Sequence, residues 1–88
     1  MNHIGEAYQG IISSVMSFGL FVEIDKGIEG LIRIDDLDDD YYYFEESSFS
    51  LRGRGKKKIY RLGDEIKVVV KSASKEAKTI DFVVAKED

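Results

Sequence analysis

Two phenylalanines spaced three residues apart, Phe18 and Phe21, are the side chains of this chain best suited to a chemical role. Leu20, Val22 and Ile24 provide the apolar face of the segment around them, so a strand here would turn Phe21 outward. Phe18 precedes a glycine at the start of the segment, where it is expected to be partly exposed. An exposed ring offers a surface on which an unpaired nucleic-acid base can stack. The alternative is structural: one ring closes an end of the fold and the other covers a loop.

An arginine is predicted to lie beside these rings. Arg33 points outward in the apolar segment 31–34, which is expected to pair with the strand that carries Phe21. A guanidinium next to aromatic rings can bind a phosphate with two hydrogen bonds or stack on a base. The alternatives are a solvated arginine and an ion pair with Glu29 or Glu23.

Charge is segregated along the chain. The formal net charge of −4 argues against a protein that coats duplex DNA through bulk positive charge. Seven carboxylates nevertheless lie within 35–46 and six cations within 52–61. The cations are Arg52, Arg54, Lys56, Lys57, Lys58 and Arg61. We interpret this basic segment as an arm that follows a nucleic-acid backbone, with Arg54 and Lys56 as contact residues. The alternative is a flexible, solvated turn.

Four consecutive aromatic residues, Tyr41–Phe44, separate the acidic and basic segments. They cannot all be buried, so one or two of the tyrosines are predicted to be exposed and available for stacking, and Tyr41 and Tyr43 are the candidate contacts. In the acidic run Asp36–Asp40, aspartates stand at positions 1, 3 and 5 of a possible calcium loop. Its sixth position, which needs glycine, is Tyr41, and its twelfth, which needs glutamate, is Ser47. An EF-hand site is therefore rejected, and the acidic run is expected to be a helix cap or a solvated face.

Most catalytic chemistry is excluded by composition. The chain has no cysteine, which excludes disulfides, a thiolate nucleophile and a thiolate zinc site. Its single histidine, His3, lies near the chain end, so a Ser-His-Asp triad or a His-rich metal site is not expected. We expect no catalytic residue, no metal and no cofactor. Neither a signal peptide nor an apolar run of membrane length is found, so a cytoplasmic location without membrane contact is expected.

The elements that must position these side chains are strands, because apolar residues recur with a period of two between glycines. The predicted strands lie near 7–16, 18–25, 29–34, 65–73 and 78–85. The interval 35–62 is predicted to hold a loop with a short helical turn that carries Leu37 and Phe44, followed by a small hairpin of 49–51 and 58–62. The pattern predicts an all-β chain, a five-stranded antiparallel Greek-key barrel of the oligonucleotide-binding (OB) class. We place one domain at 5–85, with tails at 1–4 and 86–88.

Three segments in order resemble the S1-type RNA-binding domain, over roughly residues 5–84. They are Gly10–Glu23, Ile28–Ile34 and Leu62–Val68. Three further segments are similar to the S1 domain of bacterial ribonuclease R: Asp39–Phe44, Arg61–Asp64 and Thr79–Phe82. S1 domains are OB barrels, which agrees with the predicted strands.

The resemblance implies which residues contact RNA. It makes Phe18 and Phe21 the stacking pair and places Arg33 where the family usually has histidine. Ser74 stands at a position usually held by aspartate, and Lys78 at one usually held by arginine. Because lysine is a point charge without the planar fork of arginine, base-edge recognition is weakened. The expected activity is weak, largely sequence-independent binding of single-stranded RNA.

The resemblance also implies a parent protein. In the ribonuclease R family the S1 domain follows the catalytic body and helps to hold the RNA substrate. This chain is then a monomeric domain excised from a bacterial 3′-to-5′ exoribonuclease, with Met1–Ile4 as its cut or linker end. Its partners are single-stranded RNA and the catalytic domains of the parent chain.

Two other functions stay open. The charged segments are also compatible with a module that docks on a protein or ribosome. The other possibility is a free-standing S1 protein that acts in translation or in the stress response. An enzyme in its own right has the least support, because no nucleophile–base pair or metal cluster can be assembled from the motifs.

Overall fold

The computed structural model describes residues 4–25, 27–55, 58–74, 76 and 79–85. These residues form eight strands and one short 3-10 helix at Ile34–Asp36, between β3 and β4. In chain order the strands are β1 (Ala7–Met16), β2 (Gly19–Asp25), β3 (Ile28–Arg33), β4 (Tyr42–Glu45), β5 (Ser50–Gly53), β6 (Ile59–Arg61), β7 (Glu65–Ser74) and β8 (Thr79–Val84). Along the described parts of the chain, no helix is long and apolar enough to cross a membrane.

Five strands close into a barrel in the order β1-β2-β3-β8-β7. Four neighbouring pairs are antiparallel, and β3 pairs with β8 in parallel through Leu31 and Asp81. Closure removes the exposed edges that a small open sheet would present. The five predicted strands and the barrel are thereby confirmed, with strand ends that shift by one residue.

The barrel is filled by the alternate side chains of its strands. The buried residues on these strands are Ile12, Val15, Leu20, Val22, Ile32, Ile66, Val68, Val70 and Phe82. The period-two pattern predicted most of this face, although Ile24, Ile80 and Val84 are only half-buried. Packing is close where β3 passes β8, because a Cβ placed on Gly30 would lie 2.5 Å from Cε2 of Phe82.

A second, three-stranded sheet of order β4-β5-β6 occupies the long interval between β3 and β7. The predicted hairpin is present as β5 and β6, which pair through Ser50–Arg61, Leu51–Tyr60 and Arg52–Ile59. The predicted helical turn is partly wrong: the 3-10 helix ends at Asp36, ahead of the buried Leu37, and Phe44 lies in β4 opposite Leu51. Pairing with β5 satisfies the β4 backbone, which a turn would leave to solvent.

The small sheet is joined to the barrel by packing and by backbone hydrogen bonds. Leu51 and Tyr60 are buried with the barrel residues in one core. After β6, the Gly63 amide donates to the Ile12 carbonyl and the Ile12 amide donates to the Asp64 carbonyl, both at 2.9 Å. The two sheets therefore share one core.

Candidate nucleic-acid interface

The two phenylalanines lie at one end of the β1–β2 hairpin. Phe18 is in the turn and is 51% exposed, and Phe21 is half-buried on β2 between the buried Leu20 and Val22. Their ring centroids are 6.1 Å apart at an interplanar angle of 88°. The Phe18 carbonyl accepts a 2.8 Å hydrogen bond from the Ile34 amide, which fixes the turn against the end of β3. Phe21 thus points outward as predicted, and the pair presents an aromatic surface outside the core.

A row of outward side chains continues from Phe21 across the barrel. Phe21 on β2 is the register partner of Leu31 on β3, Leu31 is the partner of Asp81 on β8, and Asp81 is the partner of Ser72 on β7. Register partners project from the same face of a sheet. Across neighbouring strands, the outer face therefore carries the ring of Phe21, the apolar Leu31, the carboxylate of Asp81 and the hydroxyl of Ser72.

Arg33 lies next to this row, at the end of β3 and opposite Gly19. Its side chain is 64% exposed, and its Nε is 3.7 Å from Oδ1 of Asp81. The Ser72 hydroxyl donates a 2.9 Å hydrogen bond to Oδ2 of the same carboxylate. The Arg33 side chain therefore lies next to an oriented carboxylate while most of its surface faces solvent.

Arg33 does not form the ion pair with Glu29 or Glu23 that the sequence offered as an alternative. Glu29 instead accepts a hydrogen bond from the Ser13 hydroxyl, and Glu23 accepts one from the Gly27 amide at 3.2 Å. The partner is Asp81, because the parallel contact of β3 with β8 brings it alongside. Sequence reasoning missed Asp81 as a site residue, although its alternation with the buried Phe82 marks it as outward.

A second exposed group lies on the small sheet. The guanidinium carbon of Arg54 is 5.9 Å from the ring centroid of Tyr43, within the range of a cation–π contact. Tyr41 is 83% exposed, and its carbonyl accepts a 2.9 Å hydrogen bond from the Arg54 amide. The prediction that one or two of the tyrosines are exposed is confirmed by Tyr41 and Tyr43. The structure thus brings Tyr41, Tyr43 and Arg54 together.

The other two aromatic residues of that run face the core. Tyr42 packs on Tyr60 with ring centroids 5.4 Å apart, and its hydroxyl donates to Oδ1 of Asp39 at 3.0 Å. Burial, followed by the neighbouring Tyr60 and the bond to Asp39, raises the pKa of Tyr42 far above its usual value. Tyr42 is therefore a neutral hydrogen-bond donor at the base of the small sheet.

Asp40 fastens the start of the basic segment. The amide of Gly55 donates to both of its carboxylate oxygens, at 2.9 and 3.1 Å, and the amide of Tyr41 donates to Oδ1 at 2.7 Å. Gly55 is thus hydrogen-bonded to the acidic segment. Lys56 and Lys57, which follow, lie outside the described residues.

The last two candidates are at the far end of β7 and β8. Ser74 is exposed and pairs with Thr79, two residues along from the Ser72–Asp81 pair on the same face. Lys78 lies outside the described residues. Of the described candidates, Phe18, Phe21 and Arg33 form one group on the barrel, and Ser74 lies further along that face.

The acidic segment contributes to a different surface. Asp35, Asp36, Asp38 and Asp39 line a cavity of about 910 Å³, together with Lys58, Lys67 and the ends of β7 and β8. Within the described ranges, no three His, Asp or Glu side chains are grouped to hold a metal ion.

Comparisons with known proteins give a consistent result. A family model described as the S1 RNA binding domain matches residues 3–84. The chain is 47% identical to ribonuclease R of Thermotoga maritima, over 98% of this chain and 12% of that protein, and 39% identical to ribonuclease R of Escherichia coli, over 93% and 10%. Its structure is similar to that of Mycoplasma genitalium RNase R, solved in apo form and in complex with ribose methylated single-stranded RNA. That match has a TM-score of 0.85 and 31% identity, and it covers 93% of this chain and 13% of the other. The chain thus spans about a tenth of the length of these relatives.

Proposed function

This chain belongs to the S1 RNA-binding domain family, and from that premise we propose that it holds single-stranded RNA on the outer face of the barrel. Unpaired bases stack on Phe18 and Phe21, and Arg33 contacts phosphate. The observation that carries this proposal is the outward-facing aromatic pair, with centroids 6.1 Å apart, beside an arginine whose side chain is 64% exposed. Stacking and phosphate contacts make such binding tolerant of sequence.

The small sheet extends the same binding surface in this proposal. Tyr43 and Arg54 present a ring and a cation 5.9 Å apart, and the exposed Tyr41 adds a second ring. These are the groups that single-stranded nucleic acids meet in sequence-tolerant sites. Lys56 and Lys78 complete the proposed phosphate contacts, and Ser74 is a further proposed polar contact.

The role of the domain follows from the relatives. Each of the proteins compared above is a ribonuclease R, and the match covers about a tenth of it. We infer that residues 5–85 are one RNA-binding module, flanked by tails at 1–4 and 86–88, of a bacterial, cytoplasmic 3′-to-5′ exoribonuclease. The module is monomeric, performs no chemistry itself and retains the substrate for the catalytic domains of its parent chain.

An amide NMR titration with a short oligouridylate at low salt tests this function. We expect shifts at Phe18–Val22 and Arg33. Removing a stacking ring costs about 1–3 kcal/mol per base, so Phe21→Ala and Phe18→Ala should each weaken binding by about 5- to 150-fold.

Phe49→Ala is the matched control, because Phe49 is also an exposed phenylalanine, 60% accessible, but lies in the turn after β4. It should bind as the unaltered chain does. If millimolar RNA produces no shifts, or if both ring deletions bind with unchanged affinity, the RNA face is refuted. A protein or ribosome partner would then be the function to pursue.

A further inference from the structure

Asp81 is a carboxylate on the face to which we assign a polyanion, and it needs its own explanation. We propose that it accepts a hydrogen bond from the ribose 2′-hydroxyl of the bound strand and so makes this face prefer RNA to DNA. The inference rests on the proposed function, since it requires a strand lying over Phe21 and Arg33.

The carboxylate is held in place before any ligand arrives. Its side chain is 26% exposed, Ser72 donates to Oδ2 at 2.9 Å, and Arg33 lies 3.7 Å from Oδ1. That last distance is longer than a hydrogen bond, so the ion pair is loose. Oδ1 is therefore the oxygen able to take a donor from a ligand.

Charge limits what that donor can be. An ionised carboxylate only accepts hydrogen bonds and repels phosphates. The donors on a single-stranded nucleic acid are base N–H groups and, in RNA alone, the 2′-hydroxyl. A contact between Asp81 and the bound strand is therefore made to a base edge or to a ribose.

The position of Arg33 favours the ribose. Along an RNA backbone, each phosphate acceptor lies next to a sugar that carries a hydroxyl donor. Arg33 offers a donor to the phosphate and Asp81 offers an acceptor to the hydroxyl, and their Nε and Oδ1 atoms are 3.7 Å apart. Asp81 is also two strands from Phe21, about 9–10 Å away, with the apolar Leu31 between them. A base stacked on Phe21 would cover Leu31 and bring its own sugar towards Asp81.

The test compares three oligouridylates of about eight nucleotides, a length within the site size of an OB fold. They carry ribose, deoxyribose or 2′-O-methylribose, and binding to the whole 88-residue chain is measured by fluorescence anisotropy. Uracil has no exocyclic amino group, so a ribose preference cannot come from one. A hydrogen bond to a charged group predicts that the ribose form binds about fivefold or more tighter than the other two.

Asp81→Ala should reduce that ratio to about one, because the acceptor is lost, while binding of the deoxyribose form is unchanged or tighter once a negative charge has gone. Asp81→Leu replaces the acceptor by an apolar side chain next to Leu31. This variant is used if the amide spectrum of the alanine variant shows that it does not fold. Asp81→Asn keeps an accepting oxygen without the charge and should keep a smaller ratio, between those of the unaltered chain and the alanine variant. Ser72→Ala should lower the ratio in part, since Ser72 only orients the carboxylate.

Glu65→Ala is the matched charge control, because Glu65 is an exposed acid at the opposite end of β7. It should shift all three affinities together and leave their ratio unchanged. Equal affinities in the unaltered chain, or a ratio that survives both Asp81→Ala and Asp81→Leu, would overturn the assignment of Asp81. Absence of binding to all three oligonucleotides would instead overturn the proposed function itself.

Discussion

The contribution of Arg33 depends on how much of its charge reaches solvent. The Asp81 carboxylate lies 3.7 Å from its Nε, but the side chain remains 64% exposed. An exposed ion pair of this kind is weak, so it competes little with a phosphate. Asp81 therefore leaves most of the Arg33 charge available to a phosphate.

We expect Arg33→Ala to weaken binding of single-stranded RNA by about three- to tenfold at low salt, because one phosphate contact is lost. Arg33→Lys should restore part of the affinity, since lysine keeps the charge without the two-pronged geometry. A salt titration by fluorescence anisotropy measures both, and the slope of log affinity against log salt should fall by about 0.7 in the alanine variant.

Lys67→Ala is the control for this series. Lys67 is an exposed cation on β7 that lines the acidic cavity. Its removal should leave the RNA affinity nearly unchanged. Equal losses in the two alanine variants would mean that Arg33 acts only through the general charge of the chain.

Barrel strands such as β7 were predictable because they have a strong contrast between their faces. In β7, Ile66, Val68 and Val70 are buried and alternate with exposed or half-exposed neighbours. The missed strand, β4, has no such contrast, since its first three residues are consecutive aromatics and none of its residues is fully buried. The partner of Arg33 was missed for a different reason: the β3–β8 contact joins residues far apart in the chain, and periodicity carries no information on such pairings.

Asp40 determines the shape of the loop that leads into the basic segment. It accepts hydrogen bonds from the Tyr41 and Gly55 amides, so Asp40→Ala should leave both amides without this acceptor. We expect faster amide exchange at Gly55 and a free energy of unfolding lower by about 1 kcal/mol. The cation–π contact of Arg54 with Tyr43 should weaken as the loop loosens.

Hydrogen exchange followed by NMR, together with urea denaturation, measures these effects. Asp38→Ala is the control, because Asp38 is an exposed acid of the same segment. It should leave exchange at Gly55 unchanged. If Gly55 is equally protected with and without the Asp40 carboxylate, the loop is held by other contacts.

For the whole molecule, the family resemblance seen in the sequence is confirmed, while the net charge of −4 conceals how the charge is arranged. The acidic segment lines a cavity, and its Asp40 bonds the loop that begins the basic segment. The acidic segment is in this way placed apart from the aromatic pair, whereas Glu23, Glu29 and Asp81 lie on the face that carries Phe21. A polyanion would therefore approach an acidic chain through local regions of positive potential.

The basic segment supplies the most direct test of that view. Replacing Lys56, Lys57 and Lys58 together by glutamine removes up to three phosphate contacts. For single-stranded nucleic acid each contact contributes about 0.7 to the slope of log affinity against log salt, so the slope should flatten by up to about 2. Anisotropy titrations at a series of salt concentrations measure the slope, with Lys67→Gln as the control that should leave it unchanged. A slope that stays the same in the triple variant would place the segment outside the RNA path and leave binding to the barrel face alone.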